Sequence, residues 1–128
     1  MSTERAARSL VTNFADLEVE HVRDGVSRCA IGTRDVIMVM NYIEPDMQPA
    51  PHTHDDFAQL AFIVSGHAVY TVSGIGHEVG PGSVLVIPAG EEHWIQPVGH
   101  EQVQNIDVFA PPRADYSHLL TWMTQIQS

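Results

Sequence analysis

Apolar residues along this chain fall in short blocks rather than in long amphipathic stretches. Between 19 and 43, Val26, Cys29, Ile31, Val36, Ile37, Val39 and Met40 recur in brief runs punctuated by Gly25 and Gly32, the pattern of strands separated by turns. Residues 57–64 (FAQLAFIV) predict a buried strand, Ser65 and Gly66 a turn, and 67–72 (HAVYTV) a returning strand. Gly74 and Gly76 mark a further hairpin turn, and Gly80, Pro81 and Gly82 another. A strand over 83–87 (SVLVI) is ended by Pro88 and Gly90, and His93–Gln96 with 102–109 (QVQNIDVF) complete the set. Prolines 45, 49 and 51 make 44–51 a connection. Residues 1–16 are polar and mixed, and predict a loose arm or an edge strand lent to a neighbour. Only the tail has helical spacing, at Tyr116, Leu119, Leu120, Met123 and Ile126. The expected architecture is a single all-β domain, an antiparallel sandwich or barrel: arm 1–16, barrel 17–110, C-terminal helix 114–127.

A length of 128 residues suits one core, and 44% hydrophobic residues exclude a disordered polar chain. No apolar run approaches the roughly 20 residues that span a bilayer. No apolar stretch follows Glu4, Arg5 and Arg8, so a cytoplasmic location is expected. Cys29 stands alone, which excludes an internal disulfide and a cysteine zinc cluster. Six basic residues against sixteen acidic ones give a net charge of -10. That balance argues against nucleic acid and against an anionic membrane surface as partners. The basic residues are all Arg, so Schiff-base chemistry and a phosphate-loop Lys are excluded. The excess is in His: eight, at 21, 52, 54, 67, 77, 93, 100 and 118. Imidazole is the commonest neutral metal ligand, which directs attention to a metal site.

On a strand, His52 and His54 point to one face, because side chains alternate. Gln59 lies five residues beyond His54, the wrong parity for a straight strand, so a bend at Asp55 and Asp56 is needed. His93 follows the Pro88–Gly90 turn and is the fourth candidate ligand. Asp107 and Phe109 share a strand face; an interior Asp near a cation can act as general base. Arg28 and Arg113 offer planar forks that suit a carboxylate, and Tyr70, Trp94 and His67 are candidates for the cavity wall. Each residue also has a plainer reading. Asp107 pairs with Arg113 structurally, Phe109 is ordinary core, Trp94 covers a barrel end, and Gln59 bonds a neighbouring strand. The pairs Asp55/Asp56 and Glu91/Glu92 read as solvated turns, Cys29 as buried filler, and the Leu119/Met123 stripe as packing on the barrel.

The spacing of His52, His54, Gln59 and Gly66 resembles the first motif of the cupin superfamily, and Gly82, Pro88, Gly90 and His93 resemble its second. The resemblance implies a double-stranded β-helix (jelly-roll) barrel with one divalent transition metal ion (Zn, Ni, Mn or Fe) on His52, His54, Gln59 and His93. Two positions depart from the family pattern: Gln59 replaces the usual Glu, and Pro97 the usual Asn after the last His. A wholly neutral ligand set leaves the cation its full charge, which favours proton, water or carbon–oxygen chemistry over oxygen activation. The stretch 107–113 (DVFAPPR) with Asp115 and Tyr116 is similar to the C-terminal signature of small cupins that linearise unsaturated uronates in pectin and alginate breakdown. Gly25-Val26-Ser27-Arg28 is similar to an early strand of the same proteins. That likeness implies that Asp107, Phe109 and Arg113 face the pocket.

The expectation is a homodimeric, metal-dependent lyase or isomerase without redox chemistry, acting on a small oxygenated carboxylate such as an unsaturated uronate. Arg113 or Arg28 would hold the carboxylate, Asp107 would move the proton, and Phe109 would shape the wall, with Tyr70 and Trp94 beside the substrate. An iron-dependent dioxygenase and a non-catalytic small-molecule-binding cupin are the alternatives.

Overall fold

The computed structural model describes residues 9–51, 53 and 58–123. Among these residues the chain forms strands β1 (Glu20–Arg23), β2 (Val26–Gly32), β3 (Ile37–Ile43), β4 (Gln59–Ser65), β5 (His67–Val72), β6 (Ile75–Val79), β7 (Val84–Ile87), β8 (His93–Val98) and β9 (Val103–Phe109). They build a six-stranded sheet in the order β1-β2-β3-β9-β4-β7 and a three-stranded sheet in the order β6-β5-β8. All pairings are antiparallel. The expected all-β jelly-roll architecture is what the structure shows. Among the described residues no helix is long and apolar enough to cross a membrane.

Turn chemistry closes the hairpins where the sequence signals them. Ser73 and Gly74 both take positive φ, 49° and 82°, the conformation that joins β5 to β6 in a two-residue turn. Gly66 links β4 to β5 with φ at 83°, and a Cβ there would stand 2.6 Å from the Gln102 carbonyl oxygen. Glycine is therefore required at 66 both by conformation and by the close approach of the neighbouring chain.

Alternation divides each central strand between two faces. The inner face of the large sheet carries Ile37, Val39, Asn41 and Ile43 from β3 and Val103, Asn105, Asp107 and Phe109 from β9. At one end Ile43, Ala61, Ile63, Ala68, Tyr70, Ile87 and Val103 form an apolar cluster. At the other, Ala30, Ile37, Val39 and Phe109 pack beneath Tyr116, Leu119 and Leu120. The polar side chains of Asn41, Asn105 and Asp107 lie between these clusters. On the outer face Cys29, Met40 and Ile106 are buried, partly under Phe14 and Leu17. A 3-10 turn at Phe14–Asp16, capped by the Asn13 side chain, presents Phe14 to that face.

The expected C-terminal helix forms, but as a 3-10 helix over Ala114–Met123; residues 124–128, with Ile126, lie outside the described residues. The spacing of its anchors is compatible with this type. Tyr116, Leu119 and Trp122 recur every third residue, as do Leu120 and Met123, and side chains three apart eclipse on a 3-10 helix. Trp122 Nε1 donates to the Ala30 carbonyl at 3.3 Å, tying the helix to β2.

Candidate functional site

The polar residues between the two apolar clusters form one hydrogen-bonded group. Asp107 Oδ1 accepts from Gln59 Nε2 at 3.1 Å and from Asn105 Nδ2 at 2.9 Å, and Oδ2 accepts from Asn41 Nδ2 at 3.0 Å. Asn41 Nδ2 also donates to Asn105 Oδ1 at 3.2 Å. Register brings the group together. Asn41 faces Asn105 across β3 and β9, Arg28 faces Asn41 across β2 and β3, and Asp107 faces Ala61 across β9 and β4. Ala61 is small, which leaves the Asp107 side chain room within the barrel. Gln59 and Asn105 are only 4% and 3% exposed, so their amide groups must find partners inside the protein.

Gln59 finds one on its nitrogen side only. Its Oε1 is buried and has no hydrogen-bond partner among the described residues. His93, 1% exposed at the start of β8, sets its Nδ1 2.9 Å from the Glu91 carbonyl oxygen. A carbonyl only accepts, so Nδ1 carries a proton, and in the neutral form of the ring the lone pair is then on Nε2. The His93 ring stacks on Tyr70 with centroids 6.4 Å apart. Burial pushes the Tyr70 hydroxyl far above the ordinary phenol range, and the Asp107 charge pushes it further. Burial and Asp107 also raise Tyr116. Both hydroxyls therefore keep their protons.

A cavity of about 230 Å³ opens onto this group, lined by Arg28, Asn41, Tyr70, Trp94, Asp107 and Tyr116 among others. Arg28 lies with its guanidinium carbon 4.7 Å from the Tyr116 ring centroid and donates from Nε to Glu20 Oε1 at 2.7 Å. Two cations, Arg23 and Arg28, stand on the wall of a cavity whose described anion is Asp107.

The family model for the cupin domain matches residues 38–109, more than half of the chain. The chain belongs to the cupin family. It is 28% identical over 98 residues to the pectin degradation protein KdgF of Dickeya dadantii, covering 76% of this chain and 88% of that protein. The solved structure of KdgF from a Halomonas species superposes with a TM-score of 0.75 at 21% identity, covering 84% of this chain and 98% of that one. Oxalate decarboxylase of Bacillus subtilis, a protein with Mn(II) centres, shares the fold at a TM-score of 0.65 and 20% identity, over 85% of this chain and 32% of that one.

Within this cupin, Arg28, Tyr70, Trp94 and Asp107 share one cavity. Gln59 joins them through its bond to Asp107, and His93 through its stacking on Tyr70. Phe109 and Arg113 are not among the described residues that line that cavity. Phe109 is on the same face as Asp107 but one pair of residues further along, buried against Ala30, Ile37 and Val39. Arg113 sits behind it, 5.6 Å from the Phe109 ring centroid and 5.3 Å from that of Tyr116, and Nη2 donates to Asp115 Oδ2 at 2.7 Å. The Arg113 side chain borders a neighbouring cavity beside the 3-10 helix, with Gly32, Thr33 and Ser117. His67 is exposed on β5, on the face opposite Tyr70.

His52 and His54, with Asp55 and Asp56, lie outside the described residues, and among the described residues no three His, Cys, Asp or Glu side chains cluster as a metal centre would. Three cavity residues carried no motif: Asn41, Asn105 and Arg23. The signal available for the two Asn was their inward parity within otherwise apolar strands. Arg23 donates to the Gln48 carbonyl at 2.7 Å and thereby holds the connection that leads to His52.

Proposed function

We propose that this cupin is a metal-dependent enzyme, a lyase or isomerase without redox chemistry that acts on a small oxygenated carboxylate such as an unsaturated uronate. The observation that carries the reading is the orientation of Gln59: nitrogen committed to Asp107, oxygen buried with no hydrogen-bond partner among the described residues. An amide oxygen left in that state suits a cation. The His93 tautomer, with its lone pair on Nε2, suits the same cation. Gln59 and His93 thus fit one divalent ion (Zn, Ni, Mn or Fe), and His52 and His54 would complete the set. Once bound there, the ion would polarise a substrate oxygen as a Lewis acid.

The chain's own residues supply the rest. Arg28, at the cavity wall, presents a fork that pairs with a carboxylate, with Arg23 beside it. Asp107 faces the cavity as the one described carboxylate on its wall and carries the proton. Tyr70 keeps its proton and donates to a substrate oxygen, and Trp94 offers a ring face to a sugar-derived skeleton. Ring opening of an unsaturated uronate removes the proton from its anomeric hydroxyl as that carbon becomes a carbonyl, breaks the bond from the anomeric carbon to the ring oxygen, and turns the released enolate into a ketone by adding a proton at the alkene carbon. No electrons are gained or lost, so one group that takes and returns a proton suffices. Phe109 shapes the wall from behind and Arg113 braces Phe109 and Tyr116. Likeness to pectin degradation KdgF supports this substrate class.

The test is anaerobic turnover of an unsaturated uronate by the chain loaded with each ion in turn, followed by loss of the alkene absorbance. Turnover without oxygen is expected. A requirement for oxygen would favour the dioxygenase, and binding without turnover a sensing role.

We further propose that the working unit is a homodimer joined through the outer face of the large sheet. There Met38, Val108, Leu60 and Val86 align in one row across four strands, and Met40, Ile106, Phe62 and Val84 in the next. Phe14 and Leu17 cover only one side of this grid, and Val84 and Val86 remain 66% and 68% exposed. Neither row carries a charge, and two chains of net charge -10 can meet with least repulsion on such a face. The lone, buried Cys29 thiol, its pKa raised by burial, suits a reducing compartment, and we place the protein in the cytoplasm.

A further inference from the structure

A carboxamide has one end that can ligate a cation and one that cannot. Its oxygen offers lone pairs, while its NH2 group presents two hydrogens. A strand residue such as Gln59 fixes where the amide sits, but not which way round the amide turns. A half-turn about the last side-chain bond exchanges oxygen and nitrogen at almost no steric cost. Something else must choose between the two arrangements.

Asp107 makes that choice. A carboxylate only accepts, so it admits the nitrogen end of Gln59 and repels the oxygen end. It does so only while its own oxygens stay in place, and both are held from the far side. Asn105 Nδ2 donates to Oδ1 at 2.9 Å and Asn41 Nδ2 to Oδ2 at 3.0 Å. The two asparagines are tied to each other by the 3.2 Å bond from Asn41 Nδ2 to Asn105 Oδ1, across directly paired positions of β3 and β9. Asn105 is 3% exposed, and Asn41 and Asp107 are half-buried at the cavity wall.

We infer that Asn41 and Asn105 are positioning residues which, through Asp107, select the orientation of the Gln59 amide and so present its oxygen to a cation. This deepens the metal reading proposed above and rests on it for the role of the exposed end. The orientation itself is a property of the metal-free chain. It also accounts for a family-departing glutamine at 59. A carboxylate there would have two equivalent oxygens and no need of an orienting partner, whereas an amide needs one.

Two measurements test it. The first is hydrogen exchange of the Gln59 side-chain NH2 group in the metal-free protein, by NMR on chain labelled with 15N at glutamine side chains. Slow exchange is expected in the wild type, with at least about tenfold faster exchange in Asn105→Leu and in Asn41→Leu as the carboxylate anchor loosens. Asn105→Ser serves if the leucine variant does not fold. The second is Zn2+ affinity by chelator competition. Loss of either asparagine should weaken Zn2+ binding about 10–100-fold, the usual cost of losing an orienting partner. In the Gln59→Glu background the same Asn105→Leu change should alter affinity about twofold or less, because the two positions are coupled and a carboxylate at 59 leaves nothing to orient.

Equal weakening in both backgrounds would overturn the inference, because a general packing defect would not depend on which end of the side chain is being chosen. Absence of Zn2+, Ni2+ or Mn2+ binding in the wild type would instead sink the metal reading. The orientation would then be decided by exchange alone: protection lost on removing either asparagine supports it, and protection indifferent to them refutes it.

Discussion

The two faces of the large sheet reverse the usual arrangement of a sheet against a core. On β2, β3, β9 and β4 the inward positions include Arg28, Asn41, Asn105, Asp107 and Gln59, while the outward positions include Cys29, Met40, Ile106 and Phe62. The charges in this part of the sheet point inward and none points outward. Burying polar groups costs free energy unless each finds a partner; here Asn41, Asn105, Asp107 and the Gln59 nitrogen bond one another, and the Gln59 oxygen is left without a hydrogen-bond partner among the described residues. A fold selected for stability alone would fill these inward positions with apolar side chains, as Ile43 and Val39 do on either side of Asn41. The contrast separates the face that carries the proposed site from a face arranged for packing, with Phe14 and Leu17 covering part of the outer one.

The comparison can be broken most severely at Asp107. Asp107→Asn keeps the shape but sets an NH2 group among amide donors and removes the proposed proton carrier. Turnover of an unsaturated uronate should fall about 10²–10⁴-fold, the range for loss of a general base. Retention of full turnover would remove Asp107 from the chemistry. Phe109, two residues along β9 in the apolar end, should respond in stability. Phe109→Ala is expected to cost about 3–5 kcal/mol in urea denaturation, the range for emptying a core aromatic site. A much smaller cost would mean that Phe109 serves the pocket more than the packing.

On the outer face the paired change Val84→Glu with Val86→Glu should leave the thermal midpoint of the protomer nearly unaltered while shifting sedimentation from dimer to monomer. A dimer that survives two buried charges would place the interface elsewhere. The smallest expected effect concerns Glu20, whose carboxyl Arg28 holds below the ordinary glutamate value. A carboxylate whose pKa is depressed by folding adds stability above its unfolded pKa and loses it as pH falls through the folded value. Wild-type stability should therefore decline below about pH 4.5 by more than that of Glu20→Gln. The excess should be under about 1 kcal/mol, the range for a half-exposed pair. Parallel declines would leave the pair without a measurable role.

The strands were legible because turns and apolar runs are local signals: the SVLVI run became β7, and the Gly66 turn proved necessary on steric grounds. The candidate site was legible where a motif carried it, at Gln59 and His93, or where alternation placed a charge inside, at Asp107. It was not legible at Asn41 and Asn105, since an asparagine within a strand has no distinguishing pattern until the register of β3 against β9 sets the two face to face. Arg113 illustrates the converse. Its signature drew it toward the pocket, but position in a motif does not fix where a long side chain goes, and here it stacks on Phe109 and Tyr116. The tail showed apolar spacing that fits both helix types, and contacts with β2 and Phe109 selected the tighter one.

Elemental analysis of the chain after loading with Zn2+ and exhaustive dialysis, compared with His93→Ala treated alike, addresses the inner face directly. The account predicts close to one ion retained per wild-type chain and most of it lost from the variant. A wild-type chain that keeps no ion, or a variant that keeps as much, would contradict it.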